Sequence, residues 1–332
     1  MNDLAALDAV LALPGVTDVL INGPGEVWMD RGQGLEPVAL DLGDAARVRA
    51  LAVALAARGG RRLDDAEPVA DARLPDGTRL HAVLPPVADG CALVSLRRPP
   101  PRAPDLATLV AAGTVPAELA DVLRGLVTAR VPLLATGATG VGKTTLVSSL
   151  LGLVDPAERI VLIEEAGELV PDHPHVVRLI ERRPNVEGAG GVGLARLVRE
   201  ALRMRPDRVV LGECRGVELR EVLAAANTGH RGGMSTLHAD AATAVPARLG
   251  ALGAMAGIPP RRLAEDVVHA FQVVLHLVRD ERRRIAQVGR LEAQGARLVV
   301  RVALEADASG GCAYGPAWRG LVELAGFARE AA

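Results

Sequence analysis

Leu133-Leu134-Ala135-Thr136-Gly137-Ala138-Thr139-Gly140-Val141-Gly142-Lys143-Thr144-Thr145 decides how this chain is read. An apolar run leads in, and an apolar helical pattern (Leu146, Val147, Leu150, Leu151) leads out. Between them lies G-x-x-x-x-G-K-T, the spacing of a phosphate-cradling loop. Glycine lets backbone N–H groups turn onto phosphate oxygens where a Cβ would obstruct them. The helix that follows adds the positive end of its dipole. The spacing therefore predicts bound ATP with Mg²⁺. Gly137, Ala138, Thr139, Gly140, Val141, Gly142 and Thr145 would surround the phosphates. Lys143 would reach the β- and γ-phosphates, and the Thr144 hydroxyl would ligate Mg²⁺. A glycine-rich turn matching by chance would not carry the strand before and the helix after.

The chain has 332 residues, room for two domains. Hydrophobic residues make up 49% and aromatics only 2%, so the cores must be built from Ala, Val and Leu. A formal net charge of -2 gives no basic footprint, so no nucleic-acid partner is expected. Cys91, Cys214 and Cys312 are far apart and lack metal-ligand or disulfide spacing, which points to a reducing cytosol. The start, MNDLAALDAVLALPG, lacks the basic n-region of a signal peptide. No apolar run approaches the ~18 residues needed to span a bilayer. A cytoplasmic protein is expected, touching the membrane only peripherally or through a partner.

Residues 1–96 read as a small α/β domain. An amphipathic helix from Asp3 to Leu13 precedes strand-like runs at Val16–Ile21, Glu26–Asp30 and Leu35–Leu40, with Asn-Gly and Gly-x-Gly turns between them. Asp44 can cap a helix that ends near Arg58 at Gly59-Gly60. Asp71–Leu74, Thr78–Val83 and Ala92–Leu96 complete the strands. Residues 97–105, with four prolines, read as an extended linker. From 106 the pattern alternates short apolar strands with helices. That alternation implies an α/β fold with a mainly parallel sheet covered on both faces. Val273–Arg279, Arg284–Arg290 and Leu298–Leu304 read as antiparallel strands, and the tail from Ala306 is weakly patterned.

Ligands of such sheets sit at the carboxyl ends of the strands. Glu164, Glu165, Glu213 and His238 all fall at predicted strand ends. Val209-Val210-Leu211-Gly212-Glu213 has the form of a Walker B strand, so Glu213 is the candidate to polarise an attacking water and stand near Mg²⁺. Successive side chains alternate along a strand, so one of Glu164 and Glu165 should face the nucleotide, and Glu164 is favoured. His238 ends a strand beside hydroxyls. Arg182-Arg183 and Arg203-Met204-Arg205 are either solvated faces or cations for a neighbour's nucleotide.

These boxes together resemble the type II/type IV secretion ATPases, and most closely the tight-adherence (Flp) pilus-assembly ATPases of the CpaF type. GATGVGKTT resembles the family's Walker A, RIVLIEEAGEL its acidic box, and LVREALRMRPDRVVLGECRG its Walker B region. NTGHRGGMSTLHAD resembles its His box, and PHVVRLIERRPNVEGAGGVGL its connecting segment. The resemblance implies a RecA-like P-loop motor domain behind a smaller amino-terminal domain, assembled as a homo-oligomeric, usually hexameric, ring. It implies ATP hydrolysis that powers pilus assembly or secretion with a polytopic inner-membrane platform protein. By the same resemblance Lys143, Thr144, Glu213, Glu164 and His238 take the family's site roles. Arg73, Arg79, Arg97 and Arg98 stand where its amino-terminal domain supplies basic contacts to the nucleotide or a neighbour. Glu165 stands where the family usually has Asp, and residues 292–332 match nothing in it. The competing reading is a nucleic-acid motor, for conjugal DNA transfer or helicase-like work. Scarce aromatics weigh against the base-stacking platforms that such a motor needs.

Overall fold

The computed structural model describes residues 3–98, 102–182, 184 and 189–327. The chain divides into two units, Met1–Pro101 and Arg102–Ala332.

In the first unit α1 (Asp3–Leu11), β1 (Asp18–Gly23), β2 (Glu26–Asp30), β3 (Leu35–Val38), α2 (Ala45–Arg58), β4 (Val69–Arg73), β5 (Arg79–Val83) and β6 (Leu93–Arg97) follow in order. The strands form one sheet, β3-β2-β1-β6-β5-β4. Every pairing in it is antiparallel, so this unit is built from hairpins and not from parallel crossovers. The Asp44 side chain accepts from the Arg47 N–H at the start of α2, a cap typically worth ~1 kcal/mol. Leu7 and Leu11 of α1 and Val48, Leu51 and Leu55 of α2 bury with Val19, Ile21, Leu80, Val94 and Leu96 of the sheet. Arg97, expected to open the linker, instead ends β6. It is held by pairing with Asp18 of β1. Pro99–Pro101 lie outside the described residues.

The second unit runs α3 (Leu106–Ala111), α4 (Ala117–Thr128), β7 (Leu133–Thr136), α5 (Lys143–Leu151), β8 (Ile160–Glu164), β9 (Val176–Ile180), α6 (Leu194–Ala201), β10 (Arg208–Leu211) and α7 (Leu219–Asn227). It continues through β11 (Met234–Leu237), α8 (Val245–Met255), α9 (Pro260–Ala270), β12 (Val273–Arg279), β13 (Arg283–Gln294), β14 (Arg297–Ala306), β15 (Cys312–Tyr314) and α10 (Trp318–Leu324). Nine strands form one sheet, β15-β14-β13-β12-β7-β11-β10-β8-β9. From β12 to β9 the neighbours are parallel.

The apolar strands divide between two cores by alternation. Leu133, Ala135, Ile160, Leu162, Val273 and Leu275 pack with α3, α4 and α5 on one face. Leu134, Val161, Ile163 and Val274 pack with α6, α7, α8 and α9 on the other. Strands covered on both faces read as unbroken apolar runs because neither side meets water.

Two expectations are extended here. Val273–Arg279 is antiparallel to β13, as expected, but its other edge joins the parallel sheet. It runs parallel to β7 in register Val273↔Leu133, because helix α9 first returns the chain to the starting end of the sheet. The antiparallel meander begins only at β13, which pairs back on β12. Residues 292–327 belong to the same sheet and core. Position 292 lies inside β13, β14 and β15 extend the same sheet, and Leu321 of α10 is buried in the first core.

Candidate nucleotide-binding site

The phosphate loop leaves the carboxyl end of β7 and enters α5 at Lys143. Gly137 has φ +140°, and a Cβ there would lie 2.3 Å from the Leu277 carbonyl oxygen of β12, so only glycine fits. Gly142, the α5 cap, sits at φ +100° in the left-handed region. The Lys143 ammonium folds back onto the loop itself. Its Nζ donates to the carbonyls of Gly137 at 2.9 Å and Ala138 at 2.7 Å. Burial pushes the Lys143 pKa down, and the nearby charges of Glu213 and Glu168 push it back up. The ammonium is therefore partly desolvated and close to acids, a charge that a phosphate would complete.

Glu213 follows β10 and His238 follows β11, and these two strands are neighbours. Glu213 Oε1 and His238 Nε2 lie 3.1 Å apart. Thr236 Oγ1 donates to the Gly212 carbonyl at 2.8 Å and the Cys214 N–H donates to the Thr236 carbonyl at 2.9 Å, so the two strand ends are stitched together beneath the pair. Glu213 thus joins Lys143 and His238 in one cluster.

Glu164 ends β8 beside them but is differently employed. It is only 4% exposed. One carboxylate oxygen accepts the Leu169 N–H at 2.8 Å, and the other accepts Arg178 Nε of β9 at 2.9 Å. Burial raises its pKa, against the lowering effect of those two partners. Both oxygens therefore hold the chain that leaves β8. Glu165 is the more open of the two. It pairs with Arg215, its pKa is raised first by burial, and the charge of Glu213 adds to that. A third acid of the same box, Glu168, accepts from the Thr144 hydroxyl at 3.4 Å. The sequence reading gave Glu168 no role, although it stands four residues after Glu164.

The oxygen donors beside Lys143 are the Thr144 hydroxyl, Glu213 and Glu168, and these suit Mg²⁺. That ion takes one or two protein oxygens and fills its octahedron with water and phosphate. Among the described residues no group of three or more His, Cys, Asp or Glu could hold a metal alone, so phosphate would supply the rest of the shell. Arg283 of β13 also reaches the loop, its Nε donating to the Gly140 carbonyl at 3.1 Å.

Other candidates have partners of their own. Arg97 pairs with Asp18 at 3.0 Å and its side chain is largely exposed. Arg98 donates to the Leu11 carbonyl at 2.5 Å. Arg203 stays beside its own helix, donating to the Arg199 carbonyl. Arg183 lies outside the described residues. His230 lies 3.3 Å from the Thr228 hydroxyl, in the loop before β11.

The family model described as type II/IV secretion system protein matches residues 2–314. A candidate conjugal transfer protein of Mycobacterium tuberculosis is 47% identical over 309 residues, covering 91% of this chain and 88% of that protein. The type IV secretion system protein PtlH of Bordetella pertussis is 35% identical over 271 residues, covering 74% of this chain and 79% of its own. Among solved structures the pilus retraction motor PilT with bound ADP aligns with TM-score 0.62 at 19% identity, over 97% of this chain and 86% of that one, a likeness of fold. A match over almost the whole chain, together with Lys143, Glu213 and His238 gathered at the carboxyl ends of neighbouring central strands, makes this protein a member of the type II/IV secretion system family.

Proposed function

We propose that this protein hydrolyses ATP and works as a ring, a hexamer by family resemblance, that drives secretion or pilus assembly at the cytoplasmic face of a membrane. The observation that carries this reading is the cluster at the ends of β7, β10 and β11. Lys143 is cradled in the loop, with the Glu213–His238 pair close by. Lys143 would swing from the Gly137 and Ala138 carbonyls onto the β- and γ-phosphates. Glu213 would orient and polarise the attacking water, and His238 would hold the Glu213 carboxylate in place. Thr144, with Glu213 or Glu168, would hold Mg²⁺, which supplies charge neutralisation on the phosphates. Among the described residues no helix is long and apolar enough to cross a membrane. The membrane contact in this reading is peripheral, with a polytopic platform protein as partner.

The apparatus we favour is a tight-adherence type pilus, on the strength of the ordered boxes. A second reading, a motor for conjugal DNA transfer, is favoured by the name of the 47% identical relative. Net charge -2 and 2% aromatics weigh against direct contact with single-stranded DNA.

Purified full-length protein should turn over ATP with Mg²⁺, and Lys143→Ala should lose on the order of 10²-fold in turnover or more. Light scattering should give the mass of a ring in the presence of nucleotide. Normal hydrolysis by Lys143→Ala would end the ATPase reading. Salt-sensitive capture of a labelled single-stranded oligonucleotide at physiological ionic strength would move the assignment to DNA transfer.

A further inference from the structure

A buried imidazole sits where the phosphate loop leaves the sheet. His276 of β12 is 3% exposed and Thr136, the last residue of β7, is fully buried. The His276 Nδ1 lies 3.0 Å from the Thr136 hydroxyl, one residue before Gly137. On its other side the ring and Asp240, two residues beyond His238, line one pocket, and the Asp240 backbone is a polar neighbour of the ring. β7 lies between β12 and β11. The ring therefore crosses the end of β7 and connects the strand ends on both sides of it.

This arrangement defines the state of the ring. A ring that donates to a carbonyl at Nε2 must accept from the hydroxyl at Nδ1 if it is neutral, and Thr136 is then the donor. Burial lowers the His276 pKa, Asp240 raises it and Lys143 lowers it. The buried Thr136 hydroxyl and His276 Nδ1 then partner each other. A hydrocarbon of the same volume would fill the space but leave the Thr136 hydroxyl unsatisfied. The other inward residues of β12, among them Val274, Leu275 and Leu277, are hydrocarbon. The imidazole is thus a polar choice in an otherwise apolar strand.

We propose that His276 is a positioning residue. Through Thr136 on one side and Asp240 on the other, it sets the loop that carries His238 in register with the phosphate loop. Lys143 and the Glu213–His238 pair then act on the same triphosphate. This inference rests on the ATPase reading above. Registry matters because a misplacement of ~1 Å at a reacting centre can cost ~10²-fold in rate.

The test compares His276→Leu, His276→Gln, Thr136→Val and the Leu/Val double variant in the full chain. Turnover of Mg²⁺-ATP, affinity for a fluorescent ATP analogue, thermal unfolding and ¹⁵N NMR of the histidine rings are measured. His276→Leu should lose about 10-fold or more in kcat with analogue affinity within about 3-fold. His276→Gln should recover most of that loss, because its amide both donates and accepts. Thr136→Val should resemble His276→Leu, and the double variant should be no worse than either. The wild-type ring should be the neutral Nε2–H tautomer at neutral pH. Equal damage in the Gln and Leu variants, additive losses in the double variant, or any other ring state overturns the proposal. A wild type without ATP turnover overturns the ATPase reading instead, and the ring state then decides whether the bridge exists.

Discussion

His238 Nε2 stands 3.1 Å from Glu213 Oε1 and joins the ends of two neighbouring parallel strands. A carboxylate held by an imidazole at a strand end is oriented before any ligand arrives. That spares the reorganisation which a freely rotating side chain would require at the moment of reaction.

If Glu213 polarises the water, Glu213→Gln should lose about 10²-fold or more in kcat while binding ATP within about 3-fold of wild type. His238→Ala should also lower kcat, and the double variant should fall short of the summed losses because the pair acts as a unit. Stopped-flow phosphate release and analogue titration measure both quantities. Full turnover in Glu213→Gln would remove it from the chemistry.

Glu164 yields a prediction about pH. Its folded pKa is raised, chiefly by burial, so the native state holds that proton at a pH where the unfolded chain has released it. Stability should then fall as pH rises from the ordinary carboxylate range, about 4.3, through the raised folded value. Glu164→Gln should flatten that slope in urea titrations from about pH 4 to pH 7. Glu165, also raised by burial, should leave a smaller residual slope. An unchanged slope in the variant would show that Glu164 is ionised without cost, as a site carboxylate would be.

Arg208 of β10 is 1% exposed, and it shares Glu158 with Arg130. Its Nε donates to Glu158 Oε2 at 2.8 Å, and its Nη2 donates to the Val127 carbonyl at 2.9 Å. Nη1 has no partner among the described residues. Glu158→Gln should cost about 3–5 kcal/mol in chemical denaturation, since it strands a buried guanidinium. Replacing both partners with Leu and Met should cost much less. A loss below about 1 kcal/mol in Glu158→Gln would mean that water already reaches the pair.

Much of this was legible in one dimension. The apolar runs at β7, β8 and β10, the turn glycines and the cap at Asp44 depend on neighbours a few residues away, and they fell where the pattern put them. Strand-end position alone nominated Glu213 and His238. Alternation favoured Glu164 over Glu165, but it could not show how each carboxylate is employed. That depends on Arg178, which arrives from β9, and Arg215, which arrives from the loop after β10. His276 carried no signal, because a lone histidine in an apolar run gives no indication of which hydroxyl it will meet.

By itself the sequence determined the phosphate loop, the alternation that makes a doubly covered sheet, and the order of the family's boxes, all of them properties of local spacing. The tertiary structure alone decided which strands became neighbours. It put β12 beside β7, extended the sheet with residues past 292, and set His276 across the base of the phosphate loop. The reason is physical. Contacts between residues 140 positions apart, such as Thr136 and His276, exist only once the helices have returned each strand to the same end of the sheet and the two cores have closed on its faces.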